Sequence, residues 1–148
     1  MNIQQASLEV LLIEDDSGDV ELTLAALERS TLNINLSVLN DGEEVLPYLN
    51  RQGQYAKAVT PNLIWLDLHL PGLDGLEVLS LLKNDERFKI IPVIVLTGSD
   101  TDAETTEVYH LGANSLVQKP TGIKEFAQLV KLIEEFWLKA VKLPRLDN

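Results

Sequence analysis

Three apolar tetrads with no polar residue inside them, Val10-Leu11-Leu12-Ile13, Leu63-Ile64-Trp65-Leu66 and Val93-Ile94-Val95-Leu96, constrain this chain more than any other feature. A strand with one wet face alternates apolar and polar residues, whereas an unbroken run belongs to a strand covered on both faces, as in parallel sheets. Ser115-Leu116-Val117 is a weaker fourth run, and Asn35-Leu36-Ser37-Val38-Leu39 alternates as an edge strand does. Between the runs, apolar residues fall at helical spacing: Val20, Leu24 and Leu27; Leu76, Leu79 and Leu82; Val108 and Leu111; Ile123, Phe126, Val130 and Ile133. Glu43 to Leu49 is expected to be helical too, shortened or kinked by Pro47. Strands alternating with helices give βαβ units with right-handed crossovers, and hence an α/β three-layer sandwich. Gln52 to Asn62, with Gly53 and Pro61, is a loop. Residues 1–148 are expected to form one domain.

Charge and cysteine usage narrow the function. Twelve Lys and Arg against 23 Asp and Glu leave a net charge of −11, which repels nucleic-acid phosphates and anionic lipid, so neither is an expected partner. Cysteine is absent, which removes disulfides, thiolate metal sites and cysteine nucleophiles. No apolar run approaches the ~18 residues of a membrane span. The first basic residue is Arg29, so a signal-peptide n-region is missing. A soluble, cytoplasmic protein is expected.

The polar residues matter by position, because ligands of an open parallel sheet bind beyond the carboxyl ends of its strands. Glu14, Asp15 and Asp16 follow the first run, Asp67 closes the third strand, Thr97 the fourth and Lys119 the fifth. Singly, each has an ordinary reading: a helix cap for Asp16 or Ser17, a turn for Thr97, a solvated charge for Lys119, turn and cap chemistry for Asn40-Asp41-Gly42. Together those readings fail. Carboxylates ~4 Å apart repel by about 4 kcal/mol per pair at an effective dielectric of about 20, and a divalent cation relieves that. An all-oxygen donor set suits a hard ion, Mg²⁺ or Mn²⁺, and neither His69 nor His110 has zinc-motif spacing. A carboxylate can also act as a nucleophile and form an acyl phosphate, stabilised by a metal ion and an ammonium group. Thr97 offers a hydroxyl, Gly98 leaves space for phosphate oxygens, and Lys119 is the compact cation.

Glu14-Asp15-Asp16, the segment Asp67-Leu68-His69-Leu70-Pro71-Gly72-Leu73-Asp74-Gly75, Thr97-Gly98 and Lys119-Pro120 resemble, in order and spacing, the receiver domains of two-component response regulators. The likeness covers roughly residues 8 to 140. It implies a flavodoxin-like fold with five parallel strands in the order 2-1-3-4-5 and five helices. It implies phosphorylation of Asp67 by the phosphohistidine of a sensor histidine kinase, with Asp15 as a direct Mg²⁺ ligand and Glu14 acting through water. Asp67 and the backbone carbonyl of His69 would complete the protein ligands. Thr97 and Lys119 would hold the phosphoryl group, His69 and Ser99 would tune self-dephosphorylation, and the Lys119–Pro120 bond would be cis. Many receivers carry Tyr or Phe three residues before the lysine, where this chain has Leu116. Leucine cannot serve as an aromatic in/out switch, and Tyr109 lies nearby in the preceding helix.

Beyond the receiver core, Phe126, Val130, Ile133 and Trp137 are expected to line one stripe facing the sheet. Phe136, Trp137, Leu138, Val141 and Leu143, with Tyr109, are candidates for a homodimer or downstream partner face, or they fold back and seal the core. This ending also resembles the single-domain regulators paired with cyanobacterial phytochromes, which implies a phytochrome-type kinase, a bacteriophytochrome among them, and no output domain. The leading reading is a phosphorylation switch in a phosphorelay, not an enzyme. Three other readings compete with it. A phosphohydrolase commonly needs a second Asp where His69 stands. A flavin protein needs a phosphate loop where Glu14-Asp15-Asp16 would repel it. A phosphate-independent scaffold would be indifferent to Asp67→Asn.

Overall fold

Every apolar run becomes a strand, and the sheet shows why three of them do not alternate. The computed structural model describes residues 7–99 and 101–146; residues 1–6, 100, 147 and 148 of the expected domain lie outside the described residues. Strands β1 (Leu8–Ile13), β2 (Ile34–Leu39), β3 (Leu63–Asp67), β4 (Val93–Thr97) and β5 (Ser115–Gln118) form one sheet in the order β2-β1-β3-β4-β5. All four pairings are parallel. Leu11, Ile13, Ile64, Leu66, Val93 and Val95 face one side and pack with Val45, Leu49, Val78, Leu79, Leu82 and Val108. Their neighbours Val10, Leu12, Leu63, Trp65, Ile94 and Leu96 face the other and pack with Leu27, Phe126, Val130 and Ile133. Successive side chains thus alternate between two apolar layers. At ~1.5–3 kcal/mol for each fully buried Leu, Ile or Val, these strands make the sheet a firm base for whatever projects from its edge.

The helices are α1 (Ser17–Glu28), α2 (Val45–Leu49), α3 (Gly75–Lys83), α4 (Asp102–His110) and α5 (Ile123–Ile133). Asp16 caps α1, its carboxylate accepting the Asp19 N–H at 3.0 Å. A 3₁₀ turn over Gly42–Glu44, capped by Asp41, precedes α2. With Pro47 inside it, α2 is only five residues long, as the proline suggested. The loop from Gln52 to Asn62 contains a further 3₁₀ turn at Gly53–Tyr55. Among the described residues no helix is long and apolar enough to cross a membrane.

Two expectations are corrected. Helix α5 runs into a π-helical turn, Glu134–Ala140, closed by the Val141 N–H donating to the Phe136 carbonyl at 2.8 Å. The wider turn shifts the buried stripe by one residue, so Leu138, not Trp137, follows Ile133 into the core, at 5 % exposed. Trp137 is half-buried and Phe136 is 58 % exposed. Val141 and Leu143 are half-buried as the tail folds back, and Asn62 pins it by donating to the Pro144 carbonyl at 3.0 Å. The sealing alternative therefore holds for Trp137, Leu138 and Leu143, and of the six interface candidates only Tyr109 and Phe136 are exposed. The Lys119–Pro120 bond, expected cis, is trans, since the described residues contain no cis peptide bond. The trans form is favoured by ~0.5–1 kcal/mol before proline, and the lysine reaches its partners from it.

Candidate functional site

Register brings the acids together. Ile13 pairs with Leu66 and Asp67 with Leu96, so Glu14, one residue past β1, comes level with Asp67. This is where the strand order reverses between β1 and β3, the place at which a crevice opens in such sheets. Gly75 lets α3 begin hard against the same edge, because a Cβ there would collide with the Leu68 carbonyl oxygen. Carboxylate oxygens of Glu14, Asp15 and Asp67 lie within 4.8 Å of one another. Glu14 and Asp67 are buried and Asp15 is exposed, which leaves one open corner. The donor set is all oxygen and strongly acidic, and it fits a hard dication that keeps some of its waters. His69 is exposed; its N–H donates to Asp67 Oδ1 at 3.2 Å, so the chain folds back over the acid.

The cation comes from the far side of the sheet. The Lys119 N–H bonds to the Thr97 carbonyl at 2.7 Å, and the side chain crosses above β4. Its Nζ donates to Glu14 Oε1 at 2.6 Å, Asp19 Oδ2 at 3.0 Å and Asp67 Oδ2 at 3.2 Å. An ammonium group has three donors, and all three meet carboxylates. Burial works to lower the Lys119 pKa, but hydrogen bonds to Glu14 and Asp19 and the charges of Glu14 and Asp67 outweigh it, so the group stays above the ordinary lysine range. Glu14 moves up to about 8, first because it is buried and then because Asp67 hydrogen-bonds and repels it, with Lys119 opposing. One ammonium does not balance so many carboxylates, and that excess of negative charge is what favours a proton on Glu14.

Thr97 is placed at the same edge, and in the unmodified chain its hydroxyl is already engaged. Its hydroxyl donates to Glu104 Oε1 in α4 at 3.1 Å, and its oxygen accepts the Ser99 N–H at 3.1 Å. Gly98 beside it is exposed, and a Cβ there would meet nothing within 4 Å, so the space next to Thr97 is open. Leu116 is half-buried, and its N–H donates to the Tyr109 hydroxyl oxygen at 3.0 Å. Glu14, Asp15, Asp67 and Lys119 therefore converge, Thr97 and Gly98 flank them, and Tyr109 and Phe136 lie elsewhere.

Asp19 and Glu104 were missed. Each is an acid in the first turn of a helix, where the helix dipole favours a carboxylate regardless of function. No sequence signal separates them from ordinary first-turn acids.

A parallel α/β sheet whose carboxyl edge carries an acid trio and one lysine is a phosphorelay signalling architecture, and the chain belongs to the response regulator receiver domain family, whose model matches residues 10–131. It is 40 % identical over 135 residues to response regulator Rcp1 of Synechocystis sp. (strain ATCC 27184 / PCC 6803 / Kazusa), an alignment covering 91 % of this chain and 92 % of that protein. The phosphorylated cyanobacterial phytochrome response regulator RcpA shares the fold with a TM-score of 0.91 and 40 % identity, covering 95 % of this chain and all of that one. The Mn(2+)-bound form of Rcp1 gives 0.90 and 39 %, over 93 % and 99 % of the two chains.

Proposed function

We propose that Asp67 accepts a phosphoryl group from a phosphohistidine of a sensor histidine kinase, and that the acyl phosphate switches a protein–protein surface. One observation carries this: the buried Asp67 carboxylate lies 3.2 Å from Lys119 Nζ and beside Glu14 and Asp15. In the transfer, a carboxylate oxygen of Asp67 attacks phosphorus, the O–P bond forms as the P–N bond breaks, and the imidazole leaves with the electron pair. Mg²⁺ or Mn²⁺, held by Asp15, Asp67, the His69 carbonyl and, through water, Glu14, would supply charge neutralisation. Lys119 pairs with a phosphoryl oxygen, Gly98 leaves room for it, and the Thr97 hydroxyl donates to it. His69 and Ser99 flank the path of hydrolytic water.

The likeness to Rcp1 and RcpA supports phytochrome-type light signalling, with a bacteriophytochrome-like kinase as donor. A kinase-fed phosphoacceptor works where ATP is consumed, and we place the chain in the cytoplasm on that ground. It acts as a signalling protein that assists its own modification. The exposed Leu132 and Phe136 of the α5 side support a face for a second copy or a downstream protein. Incubation with Mg²⁺ and a small phosphodonor is expected to add one phosphoryl group by mass, and Asp67→Asn to abolish the addition. Wild-type protein that stays unmodified would overturn the reading.

A further inference from the structure

We propose that Glu104 is an internal competitor for the Thr97 hydroxyl, so that a phosphoryl group on Asp67 frees the first turn of α4 by taking that hydroxyl's single proton. This rests on the reading of Asp67 as phosphoacceptor. A threonine hydroxyl donates one hydrogen bond, and in the unmodified chain it goes to Glu104 Oε1 at 3.1 Å. Thr97 is buried, and its carbonyl is held by the Lys119 N–H at 2.7 Å. The backbone therefore stays fixed, and only the side chain is free to change partner. Two anions cannot share one donor, and a phosphoryl oxygen near Thr97 also repels the Glu104 carboxylate. The event is an exchange.

What Glu104 holds is the least buried of the long helices. Of the nine residues of α4 only Val108 is buried, against four in the equally long α3. With so little apolar burial, polar ties set its position. At its start those ties are Thr101, whose hydroxyl oxygen accepts the Glu104 N–H at 3.4 Å and whose own N–H donates to Ser99 Oγ at 3.4 Å, and the Thr97–Glu104 bond. At its end Tyr109 accepts the Leu116 N–H at 3.0 Å from β5. Loss of the Thr97 tie loosens the first turn while the Tyr109 end remains attached. Glu104 is thus a positioning residue that links the modification to the α4 surface, a task Leu116 cannot perform.

Hydrogen–deuterium exchange of residues 102–110 in the full chain, with Mg²⁺ and with or without beryllofluoride as the acyl-phosphate mimic, tests this. In the wild type, beryllofluoride is expected to speed exchange in α4. In Glu104→Ala the free protein should already exchange fast, beryllofluoride should add little, and it should bind about tenfold more tightly, ~1.4 kcal/mol. Glu104→Gln keeps an acceptor oxygen without the charge and should fall between; it carries the test if the alanine variant does not fold. Equal beryllofluoride-induced changes in wild type and both variants would overturn the tether while leaving the phosphoacceptor intact. Failure of the folded wild type to bind beryllofluoride would overturn both.

Discussion

Two half-buried lysines stand at opposite ends of the same sheet, and the contrast separates a structural pin from a reactive centre. Lys83, at the end of α3, donates its three hydrogen bonds to the carbonyls of Lys89 and Ile91 and to Asn114 Oδ1, at 3.0, 2.8 and 3.2 Å. Those acceptors are neutral, and burial pulls its pKa down. Lys119 donates the same number of bonds, but all to carboxylates, and its pKa is held up. Lys83 completes a set of carbonyls that have no other use for a charge. Lys119 stands among an excess of negative charge that a metal ion or a changed bonding pattern can still relieve.

The contrast is broken most severely at Lys119. Lys119→Met is expected to destabilise the metal-free chain by ~3 kcal/mol, the scale for removing one partner of a buried ion pair. Urea unfolding should show the loss, and added Mg²⁺ should restore part of it. Next comes acidity. Glu14 rises from 4.5 to about 8 on folding, so between those values the folded chain holds more protons than the unfolded one. Its contribution to stability is fully present below pH 4.5 and is lost as pH rises toward 8. Because a metal ion competes with that proton, Mg²⁺ affinity should rise with pH across the same window, by at most about tenfold per unit, and Glu14→Gln should flatten both curves. Smaller still is Lys83→Met, at ~1–1.5 kcal/mol, the net scale of ordinary hydrogen bonds; its cost should be the same with and without Mg²⁺. If it too responded to Mg²⁺, the distinction between the two ends would fail. Least of all is Asp19→Asn, which leaves an acceptor beside Lys119 and removes one charge. A change within ~1 kcal/mol is expected, with beryllofluoride binding slightly tightened.

The sequence carried the framework because burial on both faces writes itself as unbroken apolar runs, and strand ends then locate Glu14, Asp15, Asp67, Thr97 and Lys119. What it concealed are contacts that depend on how far a helix end stands from a strand end. Asp19 and Glu104 have the composition of any first helical turn, yet one meets Lys119 and the other Thr97. The Tyr109–Leu116 bond joins residues seven apart through a side-chain oxygen and a backbone N–H, a pairing that hydropathy does not encode. Leu138 lies deeper than Trp137, which packs at the margin of the same core, because spacing arguments presume 3.6 residues per turn and the π-helical turn departs from that.

That same turn works as a vernier on the protein's outer surface. One residue of surplus advances everything after Ile133 by about 100° relative to regular α pitch, sending Leu138 inward while Phe136 stays in water. Deleting a single residue between 134 and 137 would therefore re-index the side chains beyond it, exchanging which aromatic and aliphatic groups greet a neighbour, while the strands and their charged rim remain as they were.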